Sequence, residues 1–139
     1  MLKRIIVVFV FCTTAFGLEF NRYHTQSEIN AYLRGLAQEN SNFIKFYELG
    51  KSDQNKEINY ITFTHGTEEL PAIYFNGTHH GDEWSSTESI LGLIDYLVTN
   101  QQEPAVASLL KSSVFYLQPI VNPDGHERSP REHINAKDP

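Results

Sequence analysis

Cysteine is nearly missing from this sequence: the 139 residues hold one, Cys12. That excludes a disulfide framework, so the fold must rest on an apolar core, or on a bound metal, rather than on covalent staples. Positive charge is scarce as well. There are 11 Lys and Arg against 17 Asp and Glu, a formal net charge of -6, and no basic run occurs outside the first four residues. A nucleic-acid footprint needs such a run, so nucleic acid is not expected as a partner. Long apolar runs are also lacking. Ile5 to Phe11 is far shorter than the ~20 residues that cross a bilayer as a helix, and no other segment comes closer, so no membrane association is expected. Internal repeats and low-complexity tracts are absent.

What is present begins with that short run. Lys3 and Arg4 precede it, and Ala15-Phe16-Gly17 places small residues where a signal peptidase cleaves. Residues 1–17 therefore read as a signal peptide, in preference to a short membrane anchor, and the product is expected to be secreted and extracellular. Loss of this segment would move the formal charge from -6 to -8, because 9 basic residues would face 17 acidic ones. With 40% hydrophobic and 12% aromatic residues, the remainder, 18–139, has material for one modest core and too little for two domains.

Thr25-Gln26-Ser27-Glu28 has the spacing of a capping box and predicts a helix start, with Ile29, Tyr32, Leu33 and Leu36 on one face and Asn40-Ser41-Asn42 at its end. Phe43 to Leu49, Ile58 to Thr64 and Ala72 to Phe75 read as strands. The third is apolar throughout, which predicts a central strand covered on both faces. A turn-rich hexapeptide, Asn76 to Gly81, leads into a helix over about Glu83 to Val98. Pro104 opens a short helix through Leu110, Ser113 to Ile120 is a further strand, and Asn122-Pro123-Asp124-Gly125 is a turn signal. Strand, helix, strand makes a parallel crossover. The expected class is α/β, a mixed and largely buried sheet with helices on its faces.

The densest polar cluster, His79-His80-Gly81-Asp82-Glu83-Trp84, follows the third strand, where ligands of open α/β sheets gather. His80 and Glu83, three apart across a loop-to-helix junction, can aim an imidazole nitrogen and a carboxylate oxygen at one point, and a borderline cation such as Zn2+ accepts both. A polar loop with a capped helix start is the competing reading. A catalytic zinc normally takes three protein groups, and His24, His65, His126 and His133 lie in segments that read as surface, none at ligand spacing to another. Trp84 and the tyrosines read as packing residues. Asn76-Gly77-Thr78 is a formal glycosylation sequon, read as an unmodified loop because a glycan needs exposure.

Four segments in order, Tyr23-His24-Thr25, Leu49-Gly50-Lys51-Ser52, Asn76 to Trp84, and Asn122-Pro123-Asp124-Gly125, make the chain resemble the N-terminal part of the zinc carboxypeptidase family, the metallocarboxypeptidases related to pancreatic carboxypeptidase A. The resemblance spans about residues 21–138. It implies that His80 and Glu83 are the first two zinc ligands and that His79 is not one. It implies hydrolysis of the last peptide bond of peptide or protein substrates by water activated at the metal, with a glutamate as general base. An arginine would steady the oxyanion and an Asn-Arg pair would clamp the terminal carboxylate. Arg131, seven residues before Asp138, is the expected oxyanion arginine, with Arg128 as its rival. Asp138-Pro139 falls where the lead-in to the Asn-Arg clamp is due. The clamp, third ligand, capping tyrosine and general base are thus expected further on, in a catalytic domain that is monomeric when complete.

Two departures qualify the resemblance. Asp82 occupies a position that is Arg in pancreatic-type members, which leaves substrate preference open and admits a zinc amidohydrolase acting on cell-wall peptides. A truncated, non-catalytic domain is a further alternative. The mature start lies close to the catalytic region, so activation by removal of a long propeptide is not expected. Residues 18–139 alone are expected to be poorly stable, with an unpaired sheet edge and an uncovered apolar face.

Overall fold

A computed structural model describes residues 18–67 and 69–128. Residues 1–17, which the sequence predicts to be a signal peptide, lie outside the described residues, as do Arg131, His133 and Asp138-Pro139. Helix α1, Gln26–Glu39, starts at the Thr25 capping box: the Thr25 side chain accepts from the Glu28 N–H at 3.2 Å, and the Glu28 carboxylate returns to the Thr25 N–H at 2.8 Å. Each contact satisfies a donor that the first helical turn leaves without a partner. Asn40 ends the helix, its N–H bonding back to the Leu36 carbonyl.

Strands β1 (Ile44–Lys51), β2 (Glu57–Phe63), β3 (Ala72–Asn76) and β4 (Val114–Gln118) form one sheet in the order β1-β2-β4-β3. The first two pairings are antiparallel, and β3 runs parallel to β4, as the crossover predicts. Helices α2 (Trp84–Thr99) and α3 (Pro104–Ser112) make that crossover. A bulge between Glu48 and Gly50 interrupts the β1–β2 register, and Gly50 adopts φ 149°, a value that a side chain would resist.

The strand periodicity decides the core. Ile44, Ile61, Phe63, Phe115 and Leu117 face one way and are buried against Ile29, Leu33 and Leu36 of α1, Leu91, Ile94 and Leu97 of α2, and Val106 and Leu110 of α3. Burying one such side chain contributes about 1.5–3 kcal/mol. Alternate positions point away, and Tyr47, Tyr60 and Tyr116 stack there at 4.9 and 5.9 Å between ring centroids.

Two expectations are corrected. The apolar strand β3 lies at the sheet edge rather than its centre, and Tyr74 and Phe75 are exposed. Its composition marks a strand suited to cover, but no described residue supplies that cover. The Asn122 to Gly125 segment is not a free turn: it opens helix α4, Pro123–Arg128, in which the Asn122 Oδ1 accepts from the Gly125 N–H at 2.9 Å. Asn before Pro is also a helix-start signature, and capping has won over turn chemistry here.

Candidate metal centre

Strand β3 ends at Asn76, and the chain enters α2 through a loop packed hard against its surroundings. A side chain at Gly77 would meet the Pro119 carbonyl at 2.8 Å and Ser86 backbone at 3.0 Å, so only glycine fits. Thr78 sits at φ 48°, uncommon for a β-branched residue. Its hydroxyl is held by Thr87 Oγ1 at 2.5 Å and by the Glu83 carbonyl at 3.2 Å, and its N–H donates to Ser86 Oγ at 2.8 Å. Thr78 is fully buried, so the hydroxyl of the formal sequon faces inward.

This loop brings the two predicted ligands together. His80 Nδ1 lies 2.8 Å from Glu83 Oε1, and the His80 N–H donates to Glu83 Oε2 at 3.0 Å. The side chains are open to solvent, 80% and 44% exposed. The hydrogen bond to Glu83 and its negative charge raise the His80 pKa above the ordinary imidazole value. The His80 backbone N–H, then its ring, lower that of Glu83 below the ordinary carboxylate value. The donor set fits zinc: one imidazole nitrogen and one carboxylate oxygen, at a surface that a cation can reach. His80 and Glu83 would hold such a cation through the two atoms that already face each other at 2.8 Å. Among the described residues, no group of three or more His, Cys, Asp or Glu could hold a metal ion. His79 turns aside, its Nε2 lying 2.6 Å from Asn76 Oδ1.

Beneath the pair lies a layer that the sequence did not disclose. His24 and His126, expected at the surface, are 0% and 1% exposed. Both His24 Nδ1 and its N–H engage the Glu88 carboxylate, at 2.9 Å each, and the His24 carbonyl accepts from His126 Nε2 at 3.1 Å. Trp84 stacks on His126, with ring centroids 4.4 Å apart, and donates its indole N–H to the Gly81 carbonyl at 2.7 Å. Asn122 Nδ2 donates to the His79 carbonyl at 3.1 Å, while Ser52 Oγ donates to Asp124 at 2.7 Å. The four ordered segments of the sequence are therefore one interlocked structure around the His80 loop. His65, by contrast, is half-buried and stacks on Phe43 at 4.6 Å, away from this layer.

Fold and site together define an α/β domain that presents a paired His80 and Glu83 in a loop at the carboxyl end of a strand. The sequence pattern of the zinc carboxypeptidase family matches residues 29–137, and the chain belongs to that family. It is 32% identical to carboxypeptidase M of Mus musculus over 116 residues, 80% of this chain and 26% of that protein. It is likewise 32% identical to carboxypeptidase A2 of Rattus norvegicus over 111 residues, 79% of this chain and 26% of that protein. The crystal structure of carboxypeptidase A from Helicoverpa armigera superposes with a TM-score of 0.74 at 28% identity, covering 81% of this chain and 27% of that one. The chain thus spans about a quarter of the length of these relatives.

Proposed function

We propose that this chain forms part of a zinc-dependent metallocarboxypeptidase that removes C-terminal residues from peptides or proteins. The observation that carries this reading is the meeting of His80 and Glu83 at 2.8 Å, within a chain that belongs to the zinc carboxypeptidase family. When bound, zinc would supply Lewis-acid polarisation of the scissile carbonyl and a site for water activation. The contribution of this chain is to present an imidazole and a carboxylate already turned toward each other, on a loop anchored at both ends. Arg131 is the proposed oxyanion arginine, by resemblance alone. A third ligand, a general base and a carboxylate clamp must come from beyond the described residues.

The reading of residues 1–17 as a signal peptide, from Lys3, Arg4, the apolar run and Ala15-Phe16-Gly17, supports secretion of the product. Asp82, exposed beside the pair, leaves open a second reading in which the same centre cleaves another amide, such as a cell-wall peptide. Both are tested on the full-length protein. Chelator-sensitive release of single C-terminal amino acids from synthetic peptides supports the first reading. Release only from cell-wall stem peptides supports the second, and release from neither defeats both.

A further inference from the structure

The backbone on either side of His80 is gripped by different elements. The carbonyl of His79 accepts from Asn122 Nδ2 at 3.1 Å, and the carbonyl of Gly81 accepts from the Trp84 indole N–H at 2.7 Å. One grip comes from the segment that joins β4 to α4, the other from the first residue of α2. The Asn122 amide cannot be the other way round. Its oxygen takes the Gly125 N–H at 2.9 Å, a backbone donor, and its nitrogen faces a backbone acceptor, so the two partners fix which end is which. Slack is removed from below as well, because Gly81 packs directly on the Gly125 backbone.

Among the described residues, the His80 side chain has no such support. It is 80% exposed and touches Glu83. Its position therefore depends on the peptide groups that carry it. We propose that Asn122 and Trp84 are positioning residues of the metal centre, which set the stance of the His80 imidazole by holding the carbonyls of its two neighbours. The proposal rests on the reading of His80 and Glu83 as zinc ligands. Partners one step removed from a metal are known to govern ligand orientation, and their loss weakens binding even where every ligand remains.

The test uses the full-length protein and three substitutions. Asn122→Ser and Asn122→Asp each keep an oxygen that can cap α4. Neither gives the donor back: the serine is too short to reach the His79 carbonyl, and the aspartate sets an acceptor against it. Trp84→Phe removes the indole N–H and leaves a ring over His126. Zinc affinity is measured by competition with a chromophoric chelator, ligand geometry by the visible spectrum of the cobalt-substituted protein, and the fold by the denaturation midpoint of the metal-free form. His80→Ala is the reference.

Asn122→Ser is expected to bind zinc about 10–100-fold more weakly, with a shifted cobalt spectrum and a metal-free midpoint close to that of the parent. The proposal is overturned if Asn122→Ser and Trp84→Phe keep parental affinity and spectrum, or if affinity falls only in step with the midpoint. Should Trp84→Phe fail to fold, the two Asn122 variants decide. Should His80→Ala bind zinc like the parent, the ligand reading itself fails and the positioning roles with it, an outcome distinct from loss in His80→Ala alone.

Discussion

Gly81 and Gly125 lie back to back: a methyl group built on Gly81 would come within 2.6 Å of the Gly125 carbonyl carbon. The contact is backbone against backbone, so no side chain can move aside to relieve it. It joins the His80 loop to helix α4, elements more than 40 positions apart in sequence.

The first prediction concerns this contact. Gly81→Ala is expected to destabilise the protein by about 1–3 kcal/mol, the usual cost of forcing extra volume into a packed site. Gly92, around which a methyl group would meet nothing within 4 Å, is the control: Gly92→Ala, in the middle of α2, is expected to stabilise by about 0.5–1 kcal/mol. Urea denaturation of both variants checks the contrast. Equal effects of the same sign would contradict the packing argument.

The second concerns the buried His24–Glu88 pair. Glu88→Ala removes the acceptor for the His24 ring and N–H together, leaving both in a dry environment. The expected loss is about 1–3 kcal/mol, and Glu88→Gln, which keeps one acceptor, should lose less. Equal denaturation midpoints for Glu88→Ala and the parent would show that the pair carries no stability.

The third is a pH dependence at the start of α1. The hydrogen bond from Arg22 and then those from Thr25 hold the Glu28 carboxyl at about 2, against an ordinary 4.5. A pKa lowered by folding means stability that is complete above the unfolded value and is lost as pH falls toward the folded one. Stability from this group should therefore decline between about 4.5 and 2. Exposure of the Arg22–Glu28 pair means that salt will weaken its share. Glu28→Gln can still cap and carries no charge, so its stability should be flatter across that window. An identical acid profile for parent and variant would refute the assignment.

The structure also separates what the sequence could tell from what it could not. Thr25 and Glu28 are three apart, and their capping box was legible because both partners lie in one short window; the same holds for His80 with Glu83. The parallel β3–β4 crossover followed from the order of elements. The burial of His24 was hidden because its partner, Glu88, lies 64 positions away, and that of His126 because its partner, the His24 carbonyl, lies 102 away. Local composition around either histidine is polar, and only the fold supplies the contacts. Asn122 had a visible signal, an Asn directly before a Pro, but the same residues also favour turns. The edge position of β3 could not be read from its apolar run, which reports suitability for burial and not which neighbours are at hand.

The central claim is that His80 and Glu83 share one zinc ion, and metal analysis of the full-length protein tests it most directly. After dialysis against zinc-free buffer, the parent is expected to retain about one zinc per chain, whereas His80→Ala and Glu83→Ala should each emerge without it while keeping a cooperative unfolding transition. Retention of zinc by both folded variants would place the metal elsewhere and contradict the account.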